Sequence, residues 1–238
     1  MQIPLAGAGE ASKLRPMSSY LSHLVGDEHF IMSAERALFW ESESALIIAD
    51  LHVGKTGHFR KEGIGVPQQV YREDLHRLLS QILFFKAEKL IIVGDLTHST
   101  ANKEMDLFRK WRLDFSSLEV TLVKGNHDIL DDSWYADARI RVEHERYQAG
   151  RFLFVHEYPL TAPPDPSGLY TFSGHLHPGV SIHGRARQSL HFPCFYFMQH
   201  ACILPAFSRF TGTYSVHPKK GEQVFALTGK DIVSFGKA

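Results

Sequence analysis

The 238-residue chain has only two cysteines, Cys194 and Cys202, in no metal-like spacing. That excludes a disulfide-built fold and a thiolate zinc site, and two buried, reduced thiols are expected. Net charge is missing too, since 26 Lys plus Arg balance 26 Asp plus Glu. A protein that coats polyanions is excluded, so any nucleic-acid binding must come from a local patch. Long apolar runs are absent: "FPCFYFMQHACILPAF" is broken by Pro193, Gln199, His200 and Pro205, so no membrane span is expected. The opening "MQIPLAGAGEASKLRPMSSY" lacks the continuous apolar core of a signal peptide. These absences predict a soluble, cytoplasmic protein. No internal repeat or Pro/Gly/Ser-rich linker divides the chain. Residues 1–26 read as a loosely ordered extension and 27–238 as a single domain.

Histidine is what the chain has in quantity, with 15 copies. It is the commonest metal ligand and the side chain that titrates near neutral pH, although ordinary surface and core positions account for part of them. Around these histidines the pattern of elements is readable. "ALIIAD" (45–50), "KLIIVGD" (89–95) and "EVTLVKGN" (119–126) are short apolar runs that suit strands buried on both faces. Between them, Tyr71, Leu75, Leu78, Ile82 and Phe85 recur every three or four residues, which predicts an amphipathic helix over 69–87. Phe108, Trp111 and Phe115 mark a second helix. Strands then dominate: "RFLFVHE" (151–157), "LYTFSGHLH" (169–177), "GVSIHG" (179–184) and "SLHFPCFYFM" (189–198). A hairpin around Thr228-Gly229-Lys230-Asp231 follows, with "QVFAL" and "IVSF" as arms. This order fits an α/β fold of two sheets packed face to face with helices outside.

A polar residue stands at the end of each strand. The first delivers Asp50 and His52, the second Asp95 and His98, the third Asn126 and His127, and the later ones His156, His175 and His177. Residues i and i+2 of a strand point to one side, so Asp50 can bind with His52 and His175 with His177 as pairs. Ligands of α/β sheets gather beyond the carboxyl ends of strands. Asp50, His52, Asp95, Asn126, His156, His175 and His177 offer oxygen and imidazole without thiolate, which suits Mn²⁺, Fe²⁺ or Zn²⁺. They are too many for one four-coordinate ion and suit two ions about 3.5–4 Å apart that share a carboxylate. Taken singly, each is equally a cap, a turn residue or a core histidine. Together, each directly after an apolar strand, they read as one site.

The motifs "DLH", "GDLTH", "GNHD", "VHE" and "GHLH", in this order between residues 45 and 177, resemble those of the calcineurin-like metallophosphoesterase superfamily. The resemblance implies a four-layer αββα sandwich, two mixed β-sheets flanked by helices. It assigns Asp50, His52, Asp95 and His177 to one ion, and Asp95, Asn126, His156 and His175 to a second. Val155 stands where the fourth motif often has Gly. Gly125 is expected to permit a sharp turn, His127 to face substrate, and Asp128 to orient or charge that imidazole; a surface ion pair is the alternative for Asp128. The implied chemistry is attack by a metal-bridging hydroxide on phosphorus, with His127 giving a proton to the departing alkoxide.

"DLHVGKTGHFRKEGIGVP" (50–67), with "VHEYP", "SGHLHP" and "LPAFSRFTG", also resembles the bacterial ligase-associated DNA damage response endonucleases, over about residues 28–235. This implies a DNA-repair nuclease acting beside a helicase, an ATP-dependent DNA ligase and an exonuclease. "GDLTH" is similar to the motif of the superfamily's double-strand-break repair nuclease, which gives His98 a catalytic role; a supporting hydrogen bond is the alternative. Lys55 and Arg60 could pair with flanking phosphates and Phe59 could stack on a base, while each is otherwise an ordinary solvated or core residue. Arg185, Arg187 and Arg209 form a second candidate phosphate patch. The expected function is a phosphodiesterase with two divalent ions, Mn²⁺ first, that cuts single-stranded or frayed DNA as an endonuclease. The alternative is a small-molecule phosphoesterase acting on a nucleotide, cyclic nucleotide or nucleotide-linked metabolite. A non-catalytic scaffold fits poorly with the complete ligand set and His127. Oligomeric state carries no signal in the sequence.

Overall fold

Three short strands open the described chain: β1 (Tyr20–Val25), β2 (Glu28–Ser33) and β3 (Ala37–Trp40). They form an antiparallel meander that leads into β4 (Ala45–Ile48). The computed structural model describes residues 19–61, 63, 69–98, 102–161, 163–183 and 189–236. Part of the extension expected over 1–26 is instead a strand. Tyr20–Val25 pairs along its whole length with β2, and the backbone hydrogen bonds of that ladder outweigh the weak apolar signal of "YLSHLV". Residues 1–18 lie outside the described set.

After β4 come α1 (Lys55–Lys61) and α2 (Gln69–Phe85), then β5 (Lys89–Val93), α3 (Lys103–Asp114), β6 (Glu119–Val123), α4 (Asp132–Asp137) and β7 (Ile140–Glu143). Strands β4 to β7 run parallel in sequence order and complete a seven-stranded sheet. Every residue of β4 is buried, as its unbroken apolar run requires for a strand covered on both faces. Asn102 starts α3 by accepting hydrogen bonds from the backbone N–H groups of Glu104 and Met105, satisfying donors that a helix start leaves open.

The second sheet is built from β8 (Arg146–Ala149), β9 (Phe152–Val155), β10 (Tyr170–Ser173), β11 (Pro178–His183), β12 (Ser189–Phe197), β13 (Ala201–Ile203), β14 (Tyr214–Ser215), β15 (Gln223–Leu227) and β16 (Ile232–Gly236). It too is mixed: β9, β10 and β13 are parallel neighbours, while β8, β11, β12, β15 and β16 pair antiparallel. The architecture is two mixed sheets flanked by helices, as the order of elements led us to expect. Cys194 and Cys202 are buried free thiols.

Between the sheets lies an aromatic core in which Phe30, Phe152, Phe172 and Phe195 are 0% exposed. Each such ring contributes roughly 1.5–3 kcal/mol by leaving water. A second core, with Leu78, Ile82, Phe108 and Tyr135, packs α2, α3 and α4 on the outer face of the first sheet. The outer face of the second sheet buries Cys194, Tyr196, Ile203 and Val224 against Tyr158, Leu160 and Val216. Among the described residues, no helix is long and apolar enough to cross a membrane.

Candidate metal centre

The carboxyl ends of β4, β5 and β6 lie side by side, and the chain leaving each is sewn to its neighbour. Asp50 N–H donates to Gly94 O at 3.1 Å, and His52 N–H donates to Asp95 O at 2.9 Å. The second sheet joins here, because His175 N–H donates to both oxygens of Asp50, at 3.2 and 3.1 Å. Asp50, His52, Asp95, His175 and His177 all have left-handed backbones, with φ of 55°, 52°, 50°, 65° and 51°. Such conformations cost a non-glycine residue on the order of 1–3 kcal/mol and persist only when the surroundings enforce them. They correct the expected reason for pairing. Asp50 and His52 do act together, but past the strand and not by strand alternation. His175 and His177 part company and join different groups.

One group is Asp50, His52 and His177; the other is Asp95, His156 and His175. In the first, His177 Nε2 lies 3.4 Å from Asp50 Oδ1 and 3.5 Å from His52 Nε2. In the second, His156 Nε2 is 3.1 Å from His175 Nδ1 and 3.0 Å from Asn126 Oδ1, which is itself 3.1 Å from His175 Nδ1. The Asp95 carboxylate stands between them, with Oδ2 4.0 Å from His52 Nε2 and Oδ1 3.5 Å from His156 Nε2. All seven sequence-derived ligand candidates are thus brought together.

The donor chemistry fits a cation. With its proton on Nδ1, which faces Val93 O at 3.5 Å, His156 would aim the Nε2 lone pair at an amide oxygen and another imidazole. Lone pairs that converge without a proton to share repel one another, and a divalent ion relieves that repulsion. Burial adds to the case. It raises the Asp95 carboxyl above its usual range, a shift opposed by His156 and by the His127 N–H. It also pushes the His52 imidazole far down, helped by Lys55 and the neighbouring histidines. A metal ligand must be deprotonated, so the neutral His52 imidazole is ready as it stands, and a cation would offset the cost of ionising buried Asp95.

Three glycines make the close approach possible. A Cβ on Gly94 would sit on the His156 ring, one on Gly125 on Asp95, and one on Gly174 on Asp50. Gly125 therefore serves by its missing side chain and not by a special turn conformation, since its φ lies outside the left-handed range.

Beside the ligands, His127 N–H donates to Asp95 Oδ1 at 2.9 Å, and its ring stacks on His98 at 4.6 Å. His98 Nδ1 lies 3.3 Å from His52 Nδ1, and the His98 ring is nearly parallel to Phe59 at 6.4 Å. Phe210, edge-on to Phe59 at 5.6 Å, extends this aromatic wall and escaped the sequence reading. Half-buried Lys55 lies close enough to feel Asp50 and Asp95, and burial lowers its ammonium pKa. The side chain of Arg60, with Arg185 and Arg187, lies outside the described residues. Arg209 is committed to Glu35 at 2.9 Å, which weakens its case as a phosphate contact.

Asp128 does not do what was expected of it. Its carboxylate is 4% exposed and is filled by Thr97 N–H, Thr97 Oγ1, Leu96 N–H and Gly125 N–H. It faces backbone, not the His127 imidazole. Two half-buried arginines behind the first group were also missed. Arg36 Nη1 donates to the carbonyls of Ala206 and Ser208, and Arg77 Nη2 to that of Phe207. Phe207 and Ser208 in turn donate their N–H groups to Ala49 O and Asp50 O. Burial, with the nearby charge of Arg77, lowers the Arg36 guanidinium to about 10.

A cluster of oxygen and imidazole donors at the shared edge of two sheets marks an α/β protein with a candidate centre for divalent metal. Residues 44–197 match the family model of the calcineurin-like phosphoesterase domain, and the chain belongs to that family, a metal-dependent phosphoesterase. Among solved structures it is similar to the nuclease MPE of Pseudomonas putida, with 27% identity and a TM-score of 0.75 over 90% of this chain and 99% of that one. The phosphoesterase Yfce of E. coli, 13% identical with a TM-score of 0.42 over 79% of this chain and 95% of that one, is too distant to bear on function. No curated protein matches significantly.

Proposed function

We propose that this chain is a phosphodiesterase with two divalent ions that cuts within DNA strands and serves DNA repair. The observation that carries the reading is the Asp95 carboxylate, whose two oxygens face the two ligand groups separately. Asp50, His52, Asp95 and His177 would hold one ion, and Asp95, Asn126, His156 and His175 the other. Bound there, two such ions supply Lewis acidity and an acidified water near neutral pH; Mn²⁺ is the expected metal.

The remaining steps belong to the chain's own residues. His127 is fixed through its backbone to Asp95, and its ring is held by stacking on His98. On this reading its imidazole gives a proton to the leaving alkoxide. Lys55 adds positive charge beside the carboxylates for a phosphoryl oxygen. Phe59 and Phe210 offer ring surface to an unstacked base, which suits single-stranded or frayed DNA. The likeness to a nuclease over nearly the whole chain supports the same reading. With no net charge, affinity should be modest and strongly weakened by salt. A helicase, ligase or exonuclease partner would then deliver the DNA.

The test sets circular single-stranded DNA beside a panel of linear and cyclic nucleotides, with Mn²⁺. Opening of the circle requires endonuclease action. An intact circle beside rapid turnover of one nucleotide would move the protein to the small-molecule phosphoesterases.

A further inference from the structure

We infer that Asp128 is a positioning residue: it fixes the Asp95 loop against the Asn126 loop and so sets how tightly the second ligand group holds its ion. Two segments far apart in sequence meet on this one carboxylate. Oδ1 accepts from Thr97 N–H at 2.8 Å and from the Thr97 hydroxyl at 3.0 Å. Oδ2 accepts from Gly125 N–H at 2.9 Å and from Leu96 N–H at 3.3 Å. The Tyr135 hydroxyl stands 3.5 Å from Oδ1. Leu96 and Thr97 directly follow Asp95, and Gly125 directly precedes Asn126. A third tie, His127 N–H to Asp95 Oδ1, runs between the same two loops.

The geometry leaves little slack, because a single Cβ on Gly125 would already overlap Asp95. Hydrogen bonds to an ionised acceptor are about twice as strong as neutral ones, and burial at 4% exposure keeps water from competing for them. Asp95 and His156 are buried but Asn126 is exposed, so packing alone does not hold Asn126 to ligand tolerance. Asp128 reaches the first group only through the shared Asp95, whereas on the second it acts through both Asp95 and the Asn126 loop. Loosening this staple therefore weakens the second ion more than the first.

The experiment titrates metal-free, full-length protein with Mn²⁺ by calorimetry, comparing wild type with Asp128→Asn. The amide nitrogen of Asn must face a backbone N–H, donor against donor, in a side chain of the same shape. Melting temperature in chelator is recorded alongside, since a merely structural role would lower it without favouring either ion. The expected result is a first ion bound with affinity within about twofold of wild type and a second weakened by about 10–100-fold, the usual effect of removing a ligand's supporting partner. Equal weakening of both ions, or no change in either, overturns the inference. Should Asp128→Asn fail to fold, Thr97→Val removes the hydroxyl's contacts with Asp128 and Tyr135 but keeps the backbone bond, and the same selective but smaller weakening is expected; unchanged second-ion binding there overturns it equally. A wild type that binds fewer than two ions would instead remove the ligand assignment itself.

Discussion

The two ligand groups use nearly the same residue types, yet they stand in different surroundings. Asp50 and His52 are buried at the end of a strand covered on both faces, and the loop that pairs with Asp50 is capped by half-buried Arg36 and Arg77. Asn126 and His175 are exposed; the Asn126 loop is tied down by Asp128, and His175 by its N–H to Asp50. The first group is thus part of the framework, and the second is an attachment to it. A centre built this way should hold one ion firmly while the other stays open to solvent and substrate. Asp95 belongs to both surroundings and couples them.

The largest effect should come from erasing that coupling. Asp95→Ala is expected to bind no ion stoichiometrically, and its hydrolysis of bis-p-nitrophenyl phosphate should drop to background. Two ions bound per chain would show that the carboxylate is not shared. Next comes His127→Ala, which should keep its metals and lose turnover by roughly 10²–10⁴-fold, the range for acid–base assistance. The loss should be greater with a deoxyribose leaving group than with p-nitrophenolate, which departs without a proton. Equal losses would make His127 a stabiliser of phosphoryl charge.

Gly94→Ala sharpens the contrast between groups. It places a methyl on the His156 ring at a φ of +80°, so binding of the second ion should suffer and that of the first should not. Metal titration of the variant decides this, and loss of the first ion alone would reverse the assignment.

The smallest effect is a control outside the centre. His23 packs its ring against Phe197 and Phe225, and burial lowers its pKa from 6.5. Above pH 6.5 both folded and unfolded chains keep this imidazole neutral. As pH falls below that value, the unfolded chain takes up a proton that the native state refuses, so stability declines. His23→Phe should flatten the melting temperature of metal-free protein between about pH 7 and pH 5. An unchanged slope would mean that other groups govern it.

Much of this was legible in the sequence for a physical reason. Strand-end ligands follow unbroken apolar runs, so "ALIIAD" and "KLIIVGD" announce both the strand and the group it presents. The helix at 69–87 could be read because its apolar residues repeat with a helical period. The meander at residues 20–40 was not, because strands this short carry weak patterns. Asp128 was misread because adjacency to His127 in sequence says nothing about where a carboxylate turns. Phe210, Arg36 and Arg77 act through contacts more than 125 residues away in the chain, which no local pattern records. The glycines of "GD", "GN" and "GH" were visible as letters, but their use, making room for a ligand opposite, needed coordinates.

The central claim is one shared carboxylate between two unequal metal sites. Stepwise addition of Mn²⁺ to metal-free protein, followed by electron paramagnetic resonance, tests it most directly. The first equivalent should give an isolated Mn²⁺ signal, and the second, bound more weakly, should convert it to the signal of a coupled pair. A signal that merely doubles, or a protein that saturates at one ion, would contradict the account.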